Sequence, residues 1–256
     1  MRDGDESPLR RGAAAAGGVV GLLVVWQVLG VTEVFGTSIA PVTEVVEVFG
    51  TPRQRSVVVD AALATAGKAV RGFAWGAAVA ALLGGLVVLV PPLRRGVDQL
   101  ATIQSAIPFV ALGPILLANL DRQSVPVGMA ACTVFFTIYT AVVSGLHSAS
   151  PAVQEVFAVF GSSRRQRFVR AHLPAALPVV ATGLKVAMPL AIVGTVIGEW
   201  FGASKGVGPL LLTTLRNYQM PMMWATASAT VIVALALFLS MAVVERAAAE
   251  RFGASS

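Results

Sequence analysis

Long apolar segments without charged residues alternate with short polar segments along this chain of 256 residues. A helix of about 20 apolar residues is long enough to cross a hydrocarbon core about 30 Å thick. The pattern therefore predicts an all-α membrane protein, a single domain of six transmembrane helices. We expect these helices at about 13–31, 69–90, 99–120, 125–146, 174–201 and 221–244.

The first apolar segment follows Arg10 and Arg11, and this positive flank is also found in secretory signal peptides. The segment is long for the apolar part of such a peptide, and no small-residue cleavage motif precedes Thr32. We therefore interpret it as a retained first helix.

The polar region between the first two helices contains one apolar stripe. Val42, Val45, Val46 and Phe49 recur at three- and four-residue spacing, while glutamates occupy other positions. This spacing predicts an amphipathic helix over 41–49 that lies on the periplasmic membrane surface.

The composition excludes several other protein classes. Hydrophobic residues make up 56% of the chain and charged residues 12%, whereas roughly a quarter of a soluble domain is charged. The single cysteine, Cys132, excludes an intramolecular disulfide, and with only two histidines a Cys/His metal site is not expected. The net charge of +6 comes without a basic patch interleaved with aromatic residues, so we expect no nucleic-acid partner.

The distribution of positive residues predicts the orientation. Eleven lie in the segments on the side of the two termini: Arg2, Arg10, Arg11, Arg94, Arg95, Arg164, Arg165, Arg167, Arg170, Arg246 and Arg251. Five lie in the segments on the other side: Arg53, Arg55, Arg122, Lys205 and Arg216. Because positive residues accumulate in cytoplasmic loops, both termini are expected in the cytoplasm. The four tryptophans then fall near the outer helix ends, as is typical of interfacial rings.

The segment between the fourth and fifth predicted helices is too patterned for a plain connection. Val153, Val156, Phe157 and Phe160 form an apolar stripe at helical spacing, and Gly161 interrupts it before a second helix that begins with arginines. We call residues 151–173 the elbow. The apolar stripe of the elbow must be shielded from water. From the pattern alone, lipid headgroups and a groove of a partner protein remain open alternatives for this shielding.

The spacing of four elbow residues resembles a known signature. Glu155, Gly161, Leu173 and Pro174 stand at the offsets of the "EAA" loop of binding-protein-dependent ABC transporter permeases. Three positions of that signature carry other residues here, namely Val156, Phe157 and Ala171.

The resemblance covers most of the chain and is specific for the nitrate, sulfonate and taurine subgroup, which also includes bicarbonate and pyrimidine-precursor carriers. Further segments with the subgroup's pattern lie at 38–49, 65–76, 103–112, 175–185 and 198–208. The last of these, GEWFGASKGVG, is similar to the family's "AEFxGxxxGLG" run.

The resemblance implies an inner-membrane importer built from two copies of this permease, two copies of an ABC ATPase subunit and an external substrate-binding protein. The solute would be an anion of the sulfonate, taurine or nitrate type, or a small nitrogen- or sulfur-containing organic molecule. The elbow would be a coupling helix seated in a cleft of the ATPase, with these residues carrying the contact: Glu155, Val156, Phe157, Phe160, Gly161, Ser162, Arg164, Arg165, Leu173 and Pro174.

The chain itself is not expected to be an enzyme. The Walker pattern that binds ATP is absent from the sequence, because Gly67 and Lys68 are followed by Ala69 where a serine or threonine is required. ATP and magnesium would then be bound by the partner subunit, and we expect this chain to bind no cofactor or metal.

Polar side chains within the predicted spans are candidates for the solute path. Lys185 and Glu199 are 14 residues apart, about 21 Å along one helix, so they cannot pair with each other. Glu199 would either serve the path or make a structural hydrogen bond, and Lys185 would attract an anion or extend to the headgroups. Ser105 and Thr137 would either line the path or bond across helices. Lys68 is expected at the membrane interface.

Two other functions are compatible with a polytopic membrane protein. A self-sufficient secondary carrier or channel would make the elbow a surface hairpin, but such carriers often contain inverted repeats, and we see none between 1–125 and 126–256. A membrane scaffold without transport would need neither Glu199 nor an elbow of this spacing.

Overall fold

The computed structural model describes residues 8–252, with the side chains of residues 16–150, 153, 155–157, 159–163 and 165–252. Arg2, which contributes to the topology prediction, lies outside the described residues, as do the side chains of Arg10, Arg11 and Arg164. Within the described range the chain is helical and contains eleven α-helices: α1 (Pro8–Val31), α2 (Val42–Gly50), α3 (Pro52–Leu89), α4 (Arg94–Ala106), α5 (Phe109–Asn119), α6 (Val125–Leu146), α7 (Pro151–Val159), α8 (Arg164–Arg167), α9 (Leu173–Glu199), α10 (Val207–Arg216) and α11 (Met220–Phe252).

Four of these helical stretches are long and apolar enough to cross a membrane: Pro52–Leu89, Val125–Leu146, Arg165–Glu199 and Met220–Phe252. The bent pair α4 and α5 would make a fifth span if it crosses as one unit. The described apolar part of α1, Ala16–Val31, is shorter than the other four. The protein is therefore a multi-pass membrane protein, and the count of six stays a prediction.

The third predicted span is broken. The chain bends by 105° between α4 and α5, so the prediction of one continuous helix over 99–120 is wrong. The break lies at Ile107 and Pro108, because a residue before proline avoids the helical conformation and Ile107 is extended, with ψ at 125°. The break leaves backbone groups of both helix ends unpaired within their helices.

Helix α3 is longer than the span predicted at 69–90. It has 38 residues, about 57 Å at 1.5 Å per residue, and begins at Pro52. Proline suits the first position of a helix, and no further proline or glycine interrupts the sequence before Gly67. The charged residues near the start of α3 interrupt the apolar pattern from which the span was predicted, but they do not interrupt the helix.

The described chain divides into two compact units, one formed by residues up to 59 with 210–229 and the other by 60–209 with 230–252. In the second unit α6 and α9 pack along most of their length. Gly194 and Gly198 allow this approach, because a Cβ atom on either would overlap Thr133 or Pro126 of α6. The core of this unit is fully buried at Met129, Val134 and Ala191, among others.

In the first unit two tryptophans hold the segment that follows α1. The rings of Trp26 and Trp224 lie 5.3 Å apart. Trp26 Nε1 donates to the carbonyl of Ala40 at 3.0 Å, and Trp224 Nε1 donates to the carbonyl of Ser38 at 2.9 Å. Donors on an otherwise apolar ring thus satisfy the irregular backbone between α1 and α2.

Helix α2 covers most of the predicted amphipathic segment, but its buried face differs. Val45 and Val48 are buried, while Val46 is 61% exposed. The buried pair follows three-residue spacing and leaves Val46 exposed, and the placement of this helix on the membrane surface stays a prediction.

The segment 202–220, which lies between the fifth and sixth predicted spans, contains the ten-residue helix α10. Its sequence VGPLLLTTLR has no glycine after the first turn and a run of three leucines. The glycines at 202, 206 and 208 all precede or open this helix, so they mark its start rather than a continuous loop.

Candidate functional site

A buried carboxylate joins three helices in the second unit. Glu199, at the end of α9, is 1% exposed. Its Oε1 and Oε2 accept from Thr65 Oγ1 of α3 at 2.9 and 3.0 Å, and Oε1 also lies 2.9 Å from Lys68 Nζ. The backbone N–H of Gly208 in the first turn of α10 donates to Oε2 at 2.8 Å. We call these four residues, together with Val207, the Glu199 cluster.

The cluster also satisfies the start of α10. The N–H of Val207 donates to Thr65 Oγ1 at 2.8 Å, and Lys68 Nζ makes a second bond to the carbonyl of Lys205. A carboxylate at a helix N-terminus is stabilised by the unpaired N–H groups and by the helix dipole. The local arrangement is thus an N-terminal cap supplied by a residue from another helix.

Two glycines are required for this approach. A Cβ on Gly206 or on Gly208 would overlap the side chain of Glu199. Gly206 also has a φ of +132°, a conformation that other residues rarely adopt. The spacing of glycines in 198–208 is therefore explained by the space that the carboxylate occupies.

Glu199 and Lys68 form a buried ion pair in which both charged groups have hydrogen-bond partners. Lys68 is 7% exposed, so its ammonium group is buried within the protein, and its placement at the depth of the membrane interface stays a prediction. The charge of Lys68 can be buried because Glu199, 131 positions away in the chain, pairs with it. No local sequence pattern indicates such a distant partner. A role for Glu199 in the solute path stays a prediction.

Lys185 also has a carboxylate partner. Its Nζ contacts the carboxylate of Glu245 in α11, which accepts a second bond from Thr182 Oγ1 at 2.8 Å. The ammonium group lies 5.8 Å from the centre of the Phe238 ring. As predicted, Lys185 and Glu199 do not pair with each other; each pairs with a residue of another helix.

Ser105 and Thr137 come together at the break between α4 and α5. They line a cavity of about 240 Å³ that also involves Gln104, Phe109, Thr133 and Phe136. We call it the break cavity. Neither Lys185 nor Glu199 is among its lining residues.

The polar groups of the break cavity are held by backbone carbonyls. Gln104 Nε2 donates to the carbonyl of Cys132 at 3.0 Å, and Ser105 Oγ donates to that of Thr102 at 2.8 Å. Thr133 Oγ1 is within bonding distance of the carbonyls of Ala130 and Leu190, at 2.8 and 3.1 Å. Gln104 Oε1 is buried and has no hydrogen-bond partner among the described residues.

A second polar cluster was missed in the sequence. Arg94, Asp98, Tyr139 and His147 line an open cavity of about 610 Å³. Tyr139 Oη donates to the Asp98 carboxylate, which lies 3.5 Å from Arg94 Nε, and Arg94 Nη1 is 3.2 Å from His147 Nε2. The i,i+4 spacing of Arg94 and Asp98 was the available signal.

The turn before α6 is capped by a carboxylate. Asp121 accepts from the Ser124 hydroxyl at 2.6 Å and from the N–H of Gln123 at 2.9 Å. These two bonds, the hydroxyl first, hold the pKa of Asp121 below its usual value. Gln123 Nε2 donates to Ser204 Oγ at 3.0 Å, which ties this turn to the segment that carries Gly202 and Gly206.

The elbow has the helix break expected at its glycine. Helix α7 ends at Val159, Gly161 has a φ of +64°, and α8 begins at Arg164. Ser163 and Gln166 cap α8 reciprocally: the N–H of Ser163 donates to Gln166 Oε1 at 2.9 Å, and that of Gln166 donates to Ser163 Oγ at 3.3 Å. This S-x-x-Q capping box was visible in the sequence and was overlooked.

The elbow exposes large apolar side chains. Val159 is 86% exposed, Phe160 81% and Val156 54%. Val159 was not part of the predicted stripe, and Phe157 is half-buried. Glu155, Arg165 and Leu173 are exposed, Ser162 and Pro174 are half-buried, and a π-helical turn over Phe168–His172 joins α8 to α9.

Comparison with known proteins identifies the family to which this chain belongs. Residues 68–252 match the family described as "Binding-protein-dependent transport system inner membrane component". The formylaminopyrimidine transport permease protein ThiX of Halalkalibacterium halodurans is 32% identical over 155 residues, which cover 59% of this chain and 62% of ThiX. The nitrate import permease protein NrtB of Leptolyngbya laminosa is 28% identical over 134 residues, which cover 52% of this chain and 48% of NrtB.

The chain thus spans about three fifths of the length of ThiX and about half that of NrtB. Among solved structures, an inward-facing MetNI methionine ABC transporter contains a chain with the same fold. The TM-score is 0.65 at 16% sequence identity, and the match covers 77% of this chain and 99% of that one.

Proposed function

The chain belongs to the family of binding-protein-dependent transport system inner membrane components, and from this premise we propose that it is the permease subunit of an ATP-driven importer. It would form the path by which a small solute, delivered by an external binding protein, crosses the membrane. The observation that carries the proposal is the elbow. It combines the spacing of the family signature with a set of uncovered apolar side chains next to a glycine in the left-handed conformation.

The uncovered side chains support a docking role for the elbow. Val156 and Val159 of α7, and Phe160 in the turn directly after it, expose more than half of their surface. Such a surface rarely stays in contact with water, and a groove of a partner ATPase would bury it. Because Leu173, the last residue of the elbow, also opens α9, a rigid-body movement of the partner would reach this helix.

The energy for import would come from that partner. The sequence lacks the Walker pattern, so ATP and magnesium would be bound by two ATPase subunits rather than by this chain. We therefore propose that the chain has no catalytic residues and no cofactor of its own.

The proposed topology has six spans with both termini in the cytoplasm, and two copies of the chain in the membrane. Helix α1 and the bent pair α4 and α5 would complete the four long apolar helices. Exposed apolar residues such as Val231 and Val243 on α11, each 67% exposed, would face lipid or the second copy.

The solute would be small and rich in nitrogen or sulfur, or a simple anion. ThiX and NrtB are named for formylaminopyrimidine and nitrate, which have little chemistry in common beyond their size class. In an importer of this type the external binding protein would carry most of the selectivity. The segment before α10 is a candidate for its docking surface.

The test is co-purification of the chain with an ABC ATPase subunit, combined with solute uptake in membrane vesicles. Gly161→Val should weaken ATPase association and uptake while leaving membrane insertion intact, because a branched side chain is strained at a φ of +64°. Gly161→Asn is the matched control, since asparagine tolerates this conformation better. Uptake that continues in vesicles without any ATPase would overturn the proposal in favour of a self-sufficient carrier.

A further inference from the structure

One side of α6 carries four hydroxyl groups in succession. Thr133, Thr137, Thr140 and Ser144 recur at four-, three- and four-residue spacing, which keeps them within about 60° around the helix axis. They extend over about 17 Å along that axis at 1.5 Å per residue. Thr133 is buried, Thr137 is half-buried, and Thr140 and Ser144 are exposed. We call Thr137, Thr140 and Ser144 the hydroxyl face of α6.

The hydroxyl face extends between two cavities of the second unit. Thr137 lines the break cavity. Thr140 and Ser144 line the open cavity of about 610 Å³ that also involves Arg94 and Asp98, which we call the Arg94 cavity. The face thus runs from the break between α4 and α5 to the last turn of α6.

The charged pair of the Arg94 cavity is accessible. The side chains of Arg94 and Asp98 are 47% and 43% exposed. Asp98 also accepts from Tyr139, which lies seven residues before the end of α6 and therefore about 10 Å inside this apolar span. A carboxylate that meets hydrocarbon at this position is unfavourable, whereas water stabilises it. The open side of the cavity therefore faces water rather than lipid.

The hydrogen bonds of Thr140 leave its surroundings open. Its Oγ1 is within bonding distance of the carbonyls of Phe136 and Thr137, each at 3.0 Å. A threonine that bonds to its own helix in this way is tolerated both in lipid and in water. The exposed charges of Arg94 and Asp98 beside it are not tolerated in lipid, so they decide between the two surroundings.

The charged residues of α9 take no part in the two cavities. Glu199 pairs with Lys68, and Lys185 pairs with Glu245. Neither Glu199 nor Lys185 is among the described lining residues of the break cavity or of the Arg94 cavity. The polar lining comes instead from α4, from α6 and from the residues directly after α6.

We infer that the hydroxyl face of α6, together with Arg94 and Asp98 of α4, lines the cytoplasmic half of a water-filled solute path that runs from the break cavity to the end of α6. The inference rests on the proposed transport function and deepens it, because it assigns the path to this face and leaves Lys185 and Glu199 outside it.

Thiol labelling of the full chain in membrane vesicles tests the path. The chain has one cysteine, so Cys132→Ala gives a background without thiols, into which Thr137→Cys, Thr140→Cys and Ser144→Cys are introduced one at a time. The probe is sulfonatoethyl methanethiosulfonate, which does not cross membranes, applied to vesicles whose cytoplasmic face is outward. It reacts with the thiolate, which forms in water and not in hydrocarbon.

Leu239→Cys in the same background is the matched control, because Leu239 is 54% exposed on the apolar helix α11. We expect Thr140→Cys and Ser144→Cys to react at least about tenfold faster than Leu239→Cys, since only a hydrated thiol forms the reactive thiolate. Thr137→Cys, which is half-buried, should react at an intermediate rate. After unfolding in sodium dodecyl sulfate all four variants should react equally, which shows that each thiol is present.

Thr140 and Ser144 are tested separately, so the result does not depend on the folding of one variant. Rates at both positions no faster than at Leu239→Cys would overturn the inference. Faster labelling in vesicles of the opposite orientation would also overturn it, because the hydroxyl face would then open to the outside.

ATPase association of the unmodified chain, measured separately, distinguishes this inference from the proposed function. Association without fast labelling of the hydroxyl face would remove the path alone. Fast labelling without an ATPase partner would remove the importer proposal and leave a water-filled path in place.

Discussion

Lys68 and Glu199 stand 131 positions apart in the chain, yet their side chains form a buried ion pair with 2.9 Å between Nζ and Oε1. The pair is completed by Thr65 and by the first turn of α10, so that both charged groups have hydrogen-bond partners. A buried pair of this kind contributes little compared with a well-packed apolar pair, but losing one partner leaves an uncompensated charge.

The effects of substituting the two residues of this pair should therefore not be additive. We expect Lys68→Met and Glu199→Gln each to lower the free energy of unfolding by about 3–5 kcal/mol. Lys68→Met/Glu199→Gln should cost clearly less than the sum of the two. Thermal unfolding of all three variants in the same detergent measures the effect, and simple additivity would show that the two groups do not interact.

The glycines beside Glu199 should be intolerant of even one methyl group. Gly208→Ala would place a Cβ against Glu199, and Gly206→Ala would add strain at a φ of +132°. Each should lower the unfolding free energy by about 1–3 kcal/mol.

Gly67→Ala is the matched control for these two variants. Gly67 lies within α3 with no neighbouring atom within 4 Å of an added Cβ. Alanine should raise stability there by about 0.5–1 kcal/mol, because it loses less conformational freedom in a helix. A loss of stability in Gly67→Ala comparable to that in Gly208→Ala would contradict the steric explanation.

The exposed aromatic side chain of the elbow should matter for partner binding and not for folding. Phe160 and Tyr218 are 81% and 84% exposed, so Phe160→Ala and Tyr218→Ala remove similarly exposed rings. We expect Phe160→Ala to weaken ATPase co-purification at least about tenfold, as is typical of a buried aromatic anchor. Tyr218→Ala should leave it unchanged. Equal retention of the ATPase by both variants would contradict the docking role of Phe160.

The capping box of α8 should stabilise the second half of the elbow. Ser163→Ala removes the acceptor for the N–H of Gln166 and should destabilise this helix by about 1 kcal/mol. Hydrogen exchange over 164–172 should become faster by roughly fivefold, whereas exchange in α6 should not change. Ser162→Ala, one position before the cap, serves as the control and should exchange like the unmodified protein.

Much of the secondary structure could be predicted from local patterns. The apolar segments at 125–146, 174–201 and 221–244 lie within or close to α6, α9 and α11. The break at Gly161 was expected because a glycine interrupts a helical stripe, and the structure has a positive φ at that residue. The sequence signature around it also identified the family, which the match over residues 68–252 confirms.

Other local signals were present in the sequence, but the overall pattern of the surrounding segment outweighed them. Ile107 and Pro108 interrupt an otherwise apolar segment, and the average hydropathy of 99–120 concealed a break of 105°. The glycines at 202, 206 and 208 interrupt the apolar pattern, and no helix was predicted where α10 begins. Averaging over a window of about 20 residues detects membrane segments well, but it removes the single residues that bend or begin a helix.

The class of protein, its family and most helix positions could be read from the chain alone, because apolar periodicity and motif spacing depend on neighbours along the chain. Which polar residues meet depends instead on how the helices pack in three dimensions. Lys68 and Glu199, Lys185 and Glu245, and Gln104 with the carbonyl of Cys132 are brought together by helices packed side by side. The energy of a buried polar group depends on the atoms around it in space, and no spacing within one segment records those atoms.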